Sequence, residues 1–418
     1  MDNNRWQIPK GWEVKKLKDV FYINDLSLPS NTSIDYQFRY IPIEQVSTNH
    51  ISFDDCELFR FGDAPGRARR ILRENDVLIS GVRPNLKAFA IFKKPNTNEN
   101  WICSTGFYVL TAKKEEDNLI SYYELLSEIG GSQFYSYVAG SNYPAIGDSD
   151  IRNLRLILPT SKKEKLAISS IFYIVDETIA SVQDSITAAE RLKKSLMQNL
   201  LTGKMKPDGT FRTSEEFYND EKFGKVPVEW EVKRIDDISE RITDVIDPTK
   251  TKEVYDYIGL EHIVPDKFIR CGKGYSNETV ALKVKFEKGD LLYGKLRPYL
   301  NKVFISDISG VGSTEFIVLR NNKFTNWVYL NFQLQRFLDY TKSMTAGTQH
   351  PRASWKDIKH YQVCVPKNEI ERKMIEERIL SLEKYRFSQQ ELVITHEHLK
   401  KSLMQYLLTG KIRINDLV

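Results

Sequence analysis

Cysteine is scarce in this chain of 418 residues: the four thiols, Cys56, Cys103, Cys271 and Cys364, are scattered and form no close pair of the kind a zinc site or redox motif needs. Free, scattered thiols fit a reducing compartment, and a cytoplasmic location is expected. No uninterrupted apolar run approaches the roughly 20 residues that cross a bilayer, and Met1 to Arg5 lead into no apolar leader core, so no membrane partner is expected. The six histidines, including His396 and His398, show no ligand spacing, so no metal site is expected. His396 is expected instead on the packed face of a helix, where a polar residue fixes register.

Catalytic signatures are also missing. There is no glycine-rich strand-to-helix turn, and the Gly-Lys pairs at Gly203 and Gly410 are followed by Met205 and Ile412 rather than by Ser or Thr. No Pro-Pro pair occurs, which excludes the Asn/Asp-Pro-Pro-aromatic motif of amino-methyltransferases. Pro207-Asp208 followed by Glu231-Val-Lys233 matches the loose carboxylate and lysine pattern of metal-dependent nucleases. The same Trp-Glu-Val-Lys phrase stands at Trp12 to Lys15 without an upstream Pro-Asp, so the match reads as coincidence. No catalytic residue is assigned.

What the sequence does have is a repeat. LKKSLMQNLLTGK at Leu192 to Lys204 returns as LKKSLMQYLLTGK at Leu399 to Lys411. Four further echoes lie in the same order in both halves. Pro9-x-x-Trp12-Glu13-Val14-Lys15 pairs with Pro227-x-x-Trp230-Glu231-Val232-Lys233, and Asp76 to Leu86 with Asp290 to Leu300, each carrying an Arg-Pro turn at Arg83-Pro84 or Arg297-Pro298. Ser104 to Leu110 pairs with Ser313 to Leu319, and the Gly140, Pro144, Asp150-Ile151, Pro159 series with Gly347, Pro351, Asp357-Ile358, Pro366. Alternating and buried-run patterns make most of these strands. Between the anchors the halves diverge, as in Phe21 to Arg70 against Ser239 to Lys283, so one scaffold carries two sets of loops.

After Pro159 and Pro366 the apolar period changes to alternating steps of four and three, apart from a skip at Lys193. The spacing predicts two helices of about 40 residues, on the order of 60 Å long. Ile168, Val175, Val182, Leu196 and Leu200 on the first, and Ile375, Leu382, Leu403 and Leu407 on the second, are expected to form an interface between helices packed as an antiparallel coiled coil. Arg386, Gln389 and His396 interrupt the second stripe. The expected division is residues 1–160, first domain; 161–204, first helix; 205–225, polar linker; 226–366, second domain; 367–410, second helix; and 411–418, a tail.

The net charge is +5, with 28% charged residues, and its distribution matters more than its size. About nine basic residues lie between Arg60 and Lys94, and about nine more between Lys267 and Lys302, each against about three acids, the density that phosphate neutralisation requires. Candidate contacts are Arg67, Arg69, Arg70, Arg83 and Lys87 in the first half and Lys273, Lys295 and Arg297 in the second. The loops holding Asn142 and Tyr143, and Gln349, His350 and Arg352, carry side chains suited to base edges.

Two divergent domains, each followed by a long helix ending in LKKSLMQ-x-LLTGK, resemble the specificity subunit of a type I restriction-modification system, across essentially the whole chain. The resemblance implies an α+β fold: two pseudo-symmetric globular α/β target recognition domains separated by two long helices packed as an antiparallel coiled coil. It implies a non-catalytic subunit whose domains each read one half of a bipartite, asymmetric site in double-stranded DNA. The helices would set the spacer and dock two modification subunits, which bind S-adenosylmethionine and methylate adenine N6. Two restriction subunits, using ATP and magnesium, would complete the complex, and this chain would bind no cofactor itself. The competing readings are a stand-alone DNA nuclease or methyltransferase, or a coiled-coil scaffold with no DNA role.

Overall fold

The repeated Trp-Glu-Val-Lys phrases become strands, each closed by the last strand before a long helix. Trp12–Lys16 pairs antiparallel with Arg155–Pro159, and Trp230–Arg234 with Gln362–Pro366, each tryptophan opposite the proline that ends its partner. The computed structural model describes residues 8–138, 144–221, 223–320, 323–344 and 351–414. They form two units: Met1–Asp184 with Gln390–Val418, and the contiguous stretch Ser185–Gln389.

Each unit repeats one topology. A four-stranded antiparallel sheet runs Phe21–Ile23, Phe107–Ala112, Val77–Ser80, Phe89–Ile91 in the first, and Glu240–Ile242, Phe316–Arg320, Leu291–Gly294, Val303–Ile305 in the second. Val77–Ser80 and Leu291–Gly294 are buried at every residue, which is why they read as continuous apolar runs. A further sheet in each unit contains one parallel pair, Trp101–Ser104 with Gln37–Ile41 and Gly310–Ser313 with Asp256–Ile258. In the second unit this sheet gains an outer strand, Val245–Ile246.

The long helices run Lys162–Leu200 and Glu369–Leu407, 39 residues each. Within the first unit, Asp176 pairs with Lys400 and Glu164 with Arg413; within the second, Glu190 pairs with Arg386 and Lys193 with Glu383. The partners' numbers run in opposite directions in both units, Arg413 lying just past the end of its helix, so the helices are antiparallel.

Their apolar stripes are not only a helix-to-helix seam. Ile168, Phe172 and Leu407 enter the core of the first unit with Trp12, Phe21 and Phe89, and Leu403 packs against it. Leu200 and Ile375 enter the core of the second with Trp230 and Trp327, and Leu196 packs against it. Val175 and Val182 are buried and Leu382 half-buried. On the second helix Leu392 and Leu399 are exposed, and half-buried His396 bonds through Nδ1 to the Leu392 carbonyl at 2.8 Å. Arg386, taken as an interruption, is buried and paired with Glu190 at 3.6 Å. The skip at Lys193 is likewise an ion pair, of a half-buried lysine with buried Glu383.

Within each unit the Pro-x-x-Trp opening meets the Leu-Leu-Thr-Gly helix end. Gly203 and Gly410 close their helices in the left-handed region, at φ 68° and 64°, as a helix-ending glycine does. A Cβ on Gly203 would lie 2.3 Å from Pro227 Cγ, and one on Gly410 would lie 2.5 Å from Pro9 Cγ. The Pro-x-x-Trp opening of each domain is therefore the floor on which a Leu-Leu-Thr-Gly end sits.

The expected polar linker carries order of its own. Met205 bridges to Phe211, and Phe217–Asp220 pairs with Gly224–Pro227 as a hairpin. Arg212 is buried there, pairing with Glu371 and donating to the Gly203 carbonyl at 2.8 Å. The first long helix is also long and apolar enough, by length and composition alone, to cross a membrane. Ile168 and Phe172, on the same helix, lie in the first unit's core, and Asp176 is paired with Lys400.

Gly203→Ala and Gly410→Ala combine an unfavourable φ with steric overlap, and each should lower the unfolding free energy by roughly 2–4 kcal/mol, measured by denaturant titration. A second expectation concerns pH. Glu376 on the second long helix is buried, and burial pushes its carboxyl from 4.5 up to about 7, only partly offset by Arg372 at 3.3 Å. Between those values the folded state keeps a proton that the unfolded chain has released, so stability is lost as pH rises through the window. Relative to wild type, Glu376→Gln should therefore gain roughly 3 kcal/mol between pH 4.5 and pH 8; a pH-independent difference would contradict this.

Candidate nucleic-acid interface

The Arg-Pro turns have the same geometry in both units. Arg83 and Arg297 stand in the left-handed region at φ 47° and 53°, followed by the short 3₁₀ turns Pro84–Leu86 and Pro298–Leu300. A non-glycine residue there is costly, and its presence twice argues that the side chain is needed. Each arginine is exposed, and its backbone N–H donates to a proline carbonyl, Pro144 at 2.7 Å or Pro351 at 2.8 Å. The turn is thus tied to the chain leaving the polar loop. Asn142, Tyr143, Gln349 and His350 lie outside the described residues.

The same corner gathers further candidates. Exposed Arg67 accepts through its carbonyl from the Thr105 N–H at 2.8 Å, and Gly81 beside Arg83 donates to the Gly106 carbonyl at 2.8 Å. In the second unit Lys295 donates through its backbone to the Glu315 carbonyl at 2.8 Å, and Arg352 reaches the Glu315 carboxylate at 3.1 Å. Burial lowers the Lys295 ammonium, and the cations of Arg241 and Arg352 lower it further against the pull of Glu315. Arg241 and Glu315 were not singled out in sequence. In the paired strand phrase Glu315 stands opposite Gly106, one of two mismatches there, the other being Tyr108 opposite Ile317.

Other basic candidates are already engaged within the protein. Lys87 is turned inward: its Nζ donates to the Leu126 and Ser127 carbonyls at 2.6 and 3.0 Å, and burial lowers its pKa. Asn301, at the equivalent place, donates to the Phe332 carbonyl at 3.2 Å, so both positions anchor a helix end. Arg69 lies 4.5 Å over the Phe61 ring, Arg70 donates to Ser27 Oγ at 2.8 Å, and Lys273 pairs with Asp256 at 2.7 Å. The basic segments are therefore less free than their composition suggested. Arg73, Lys93, Arg270 and Lys285 also have carboxylate partners.

The nuclease-like residues are engaged with close neighbours in the chain. Asp208 accepts from the Thr210 N–H and hydroxyl at 2.9 and 2.7 Å, which hold its carboxyl below the usual range. Glu231 pairs with Lys233 at 3.1 Å, as Glu13 pairs with Lys15 at 2.8 Å. Among the described residues no group of three His, Cys, Asp or Glu is arranged to hold a metal ion.

Comparison with known proteins agrees with this doubled frame. The sequence matches the type I restriction modification DNA specificity domain twice, over residues 9–191 and 227–409, and the chain belongs to that family. It is similar to the type I restriction enzyme MjaVIII and MjaIX specificity subunits of Methanocaldococcus jannaschii. The first is 20% identical over 98% of this chain and 95% of the relative, the second 22% over 98% and 96%. The EcoDI specificity subunit of Escherichia coli is 21% identical over 54% of each chain. The crystal structure of a type I S subunit from M. genitalium has the same fold, with a TM-score of 0.61 at 14% identity over 97% of each chain. A chain from a structure of type I complex assembly and conformational transition aligns at TM-score 0.51 and 18% identity, over 97% of this chain and all of that one. The α+β fold expected from the repeat thus stands, and the two matched segments make this a specificity subunit with two DNA sequence-recognition domains.

Lys87→Met strands two helix-end carbonyls and should cost roughly 1–3 kcal/mol, whereas Arg67→Ala on the exposed surface should stay within about 0.5 kcal/mol. Thermal unfolding of the two variants measures the contrast, and equal effects would contradict it.

Proposed function

We propose that each domain reads one half of a bipartite, asymmetric DNA site, and that the long helices set the spacer between the half-sites and dock two modification subunits. The chain supplies no catalytic group. Methylation of adenine N6 belongs to the modification subunits with their S-adenosylmethionine, and ATP- and magnesium-dependent work to two restriction subunits, in the cytoplasm. The observation that carries this reading is one backbone frame built twice, with an exposed arginine kept at the same turn and different side chains around it. Arg83 and Arg297, common to both domains, suit sequence-independent phosphate contact, with Arg67 beside the first. Residues that differ in the same frame, including Arg352, suit base reading. Lys87 is left out of the contact set because its ammonium is engaged with helix carbonyls.

Exchange of Phe21 to Arg155 for the corresponding segment of another member tests the reading. Methylome sequencing of a host carrying the exchanged gene with its partner genes should show one half-site altered and the other unchanged. A simultaneous change in both halves would overturn it.

A further inference from the structure

Three positions around the Arg-Pro turn share their backbone between the units and differ completely in side chain. Gly81 corresponds to Lys295, Gly106 to Glu315, and Ala145 to Arg352. The correspondence is set by hydrogen bonds. Gly81 N donates to Gly106 O, and Lys295 N to Glu315 O, both at 2.8 Å. Val82 bridges to Ala145, and Leu296 to Arg352. Ile146 N donates to Gly81 O at 3.0 Å, and Ala353 N to Lys295 O at 2.9 Å.

In the first unit this frame presents no polar side chain, and a side chain added at either glycine would crowd its neighbours. A Cβ on Gly106 would lie 2.3 Å from Ile43 Cδ1, and one on Gly81 would lie 3.0 Å from Tyr108 Cε2. In the second unit the frame holds a charged cluster. Arg352 Nη2 lies 3.1 Å from Glu315 Oε1, the arginine side chain 61% exposed and the glutamate 26%. The second oxygen of Glu315 is buried with no hydrogen-bond partner among the described residues. Lys295 lies half-buried beside them, within reach of the Glu315 charge.

A carboxylate in this place is a poor companion for a phosphate-seeking cation, because it repels the phosphate. Bracing one edge of a guanidinium, it fixes the direction of the planar fork while other donors stay exposed, which is what bidentate reading of guanine O6 and N7 requires. Arg297, three residues from the strand end and shared in kind with Arg83, already suits the backbone role. We infer that Arg352 reads a guanine in the half-site of the second domain, with Glu315 as its positioning residue, while the first domain, bare at this frame, reads its half-site from other side chains. This inference rests on the DNA-reading function proposed above.

The test uses the full chain with its partner subunits, in a methylome readout and in duplex binding at several salt concentrations. The unsubstituted chain is the reference: if it directs no bipartite methylation, the proposed function itself fails. Given that reference, Arg352→Ala should relax one guanine of a single half-site, with discrimination falling about 10- to 100-fold, while the other half-site and the salt slope stay unchanged. Glu315→Gln keeps every cation, yet should weaken the same discrimination. Arg352→Ala removes an exposed side chain together with its ion pair to Glu315, and the thermal midpoint checks that the fold persists. A uniform loss of affinity over all sequences with a salt slope smaller by about one would make Arg352 a phosphate contact and overturn the inference. An unchanged motif in both variants would overturn it as well.

Discussion

A largely buried lysine and carboxylate, one from each long helix, tie the two helices together in each unit. In the second unit Lys193 meets Glu383, which also accepts from the Tyr329 hydroxyl at 3.3 Å; in the first, Lys400 meets Asp176, which accepts from the Tyr123 hydroxyl at 2.9 Å. Both lysines belong to the repeated LKKSLMQ phrase, so the repeat contributes a charge as well as an apolar face. Pairs of this kind add little net stability over well-packed apolar residues, but removing one partner leaves an uncompensated buried charge. Their best-attested use is to exclude wrong registers. A slip of one helix along the other would part the lysine, the acid and the tyrosine together, and the tyrosine carries the constraint into the recognition domain.

Much of the fold was legible because the chain offers itself for comparison. Repeated phrases at Trp12 and Trp230, and at Gly203 and Gly410, marked strand and helix ends without any second sequence, and within each unit the glycine packs against the Pro-x-x-Trp opening. Periodicity gave the helix lengths correctly but misjudged which faces were covered. Lys193 and Arg386 read as breaks in an apolar stripe, yet one is half-buried and the other buried, both with partners from the opposite helix, a pairing that spacing along one helix cannot reveal. Segment 205–225 read as a linker because its polarity was visible and its anchor, Glu371, lies far along the chain.

The interface was less legible for a related reason. Counting basic residues treats each as free, whereas Lys87, Lys273 and Arg70 hold partners 39, 17 and 43 residues away. The two arginines of the Arg-Pro turns could be singled out because the motif that places them is local. Glu315 could not, since its meaning depends on Arg352 and Lys295, which the sheet brings beside it from separate strands and loops.

The division of the chain bears on how the protein is made. The second unit is one uninterrupted stretch, residues 185–389, whereas the first draws on residues 1–184 and on 390–418. Leu407 and Leu408 fill the first unit's core, and Arg413 covers the buried Glu164 carboxylate. On a ribosome the domain that begins first is therefore completed last. Its core waits, open at the seat of Gly410, while the later domain already has everything it needs.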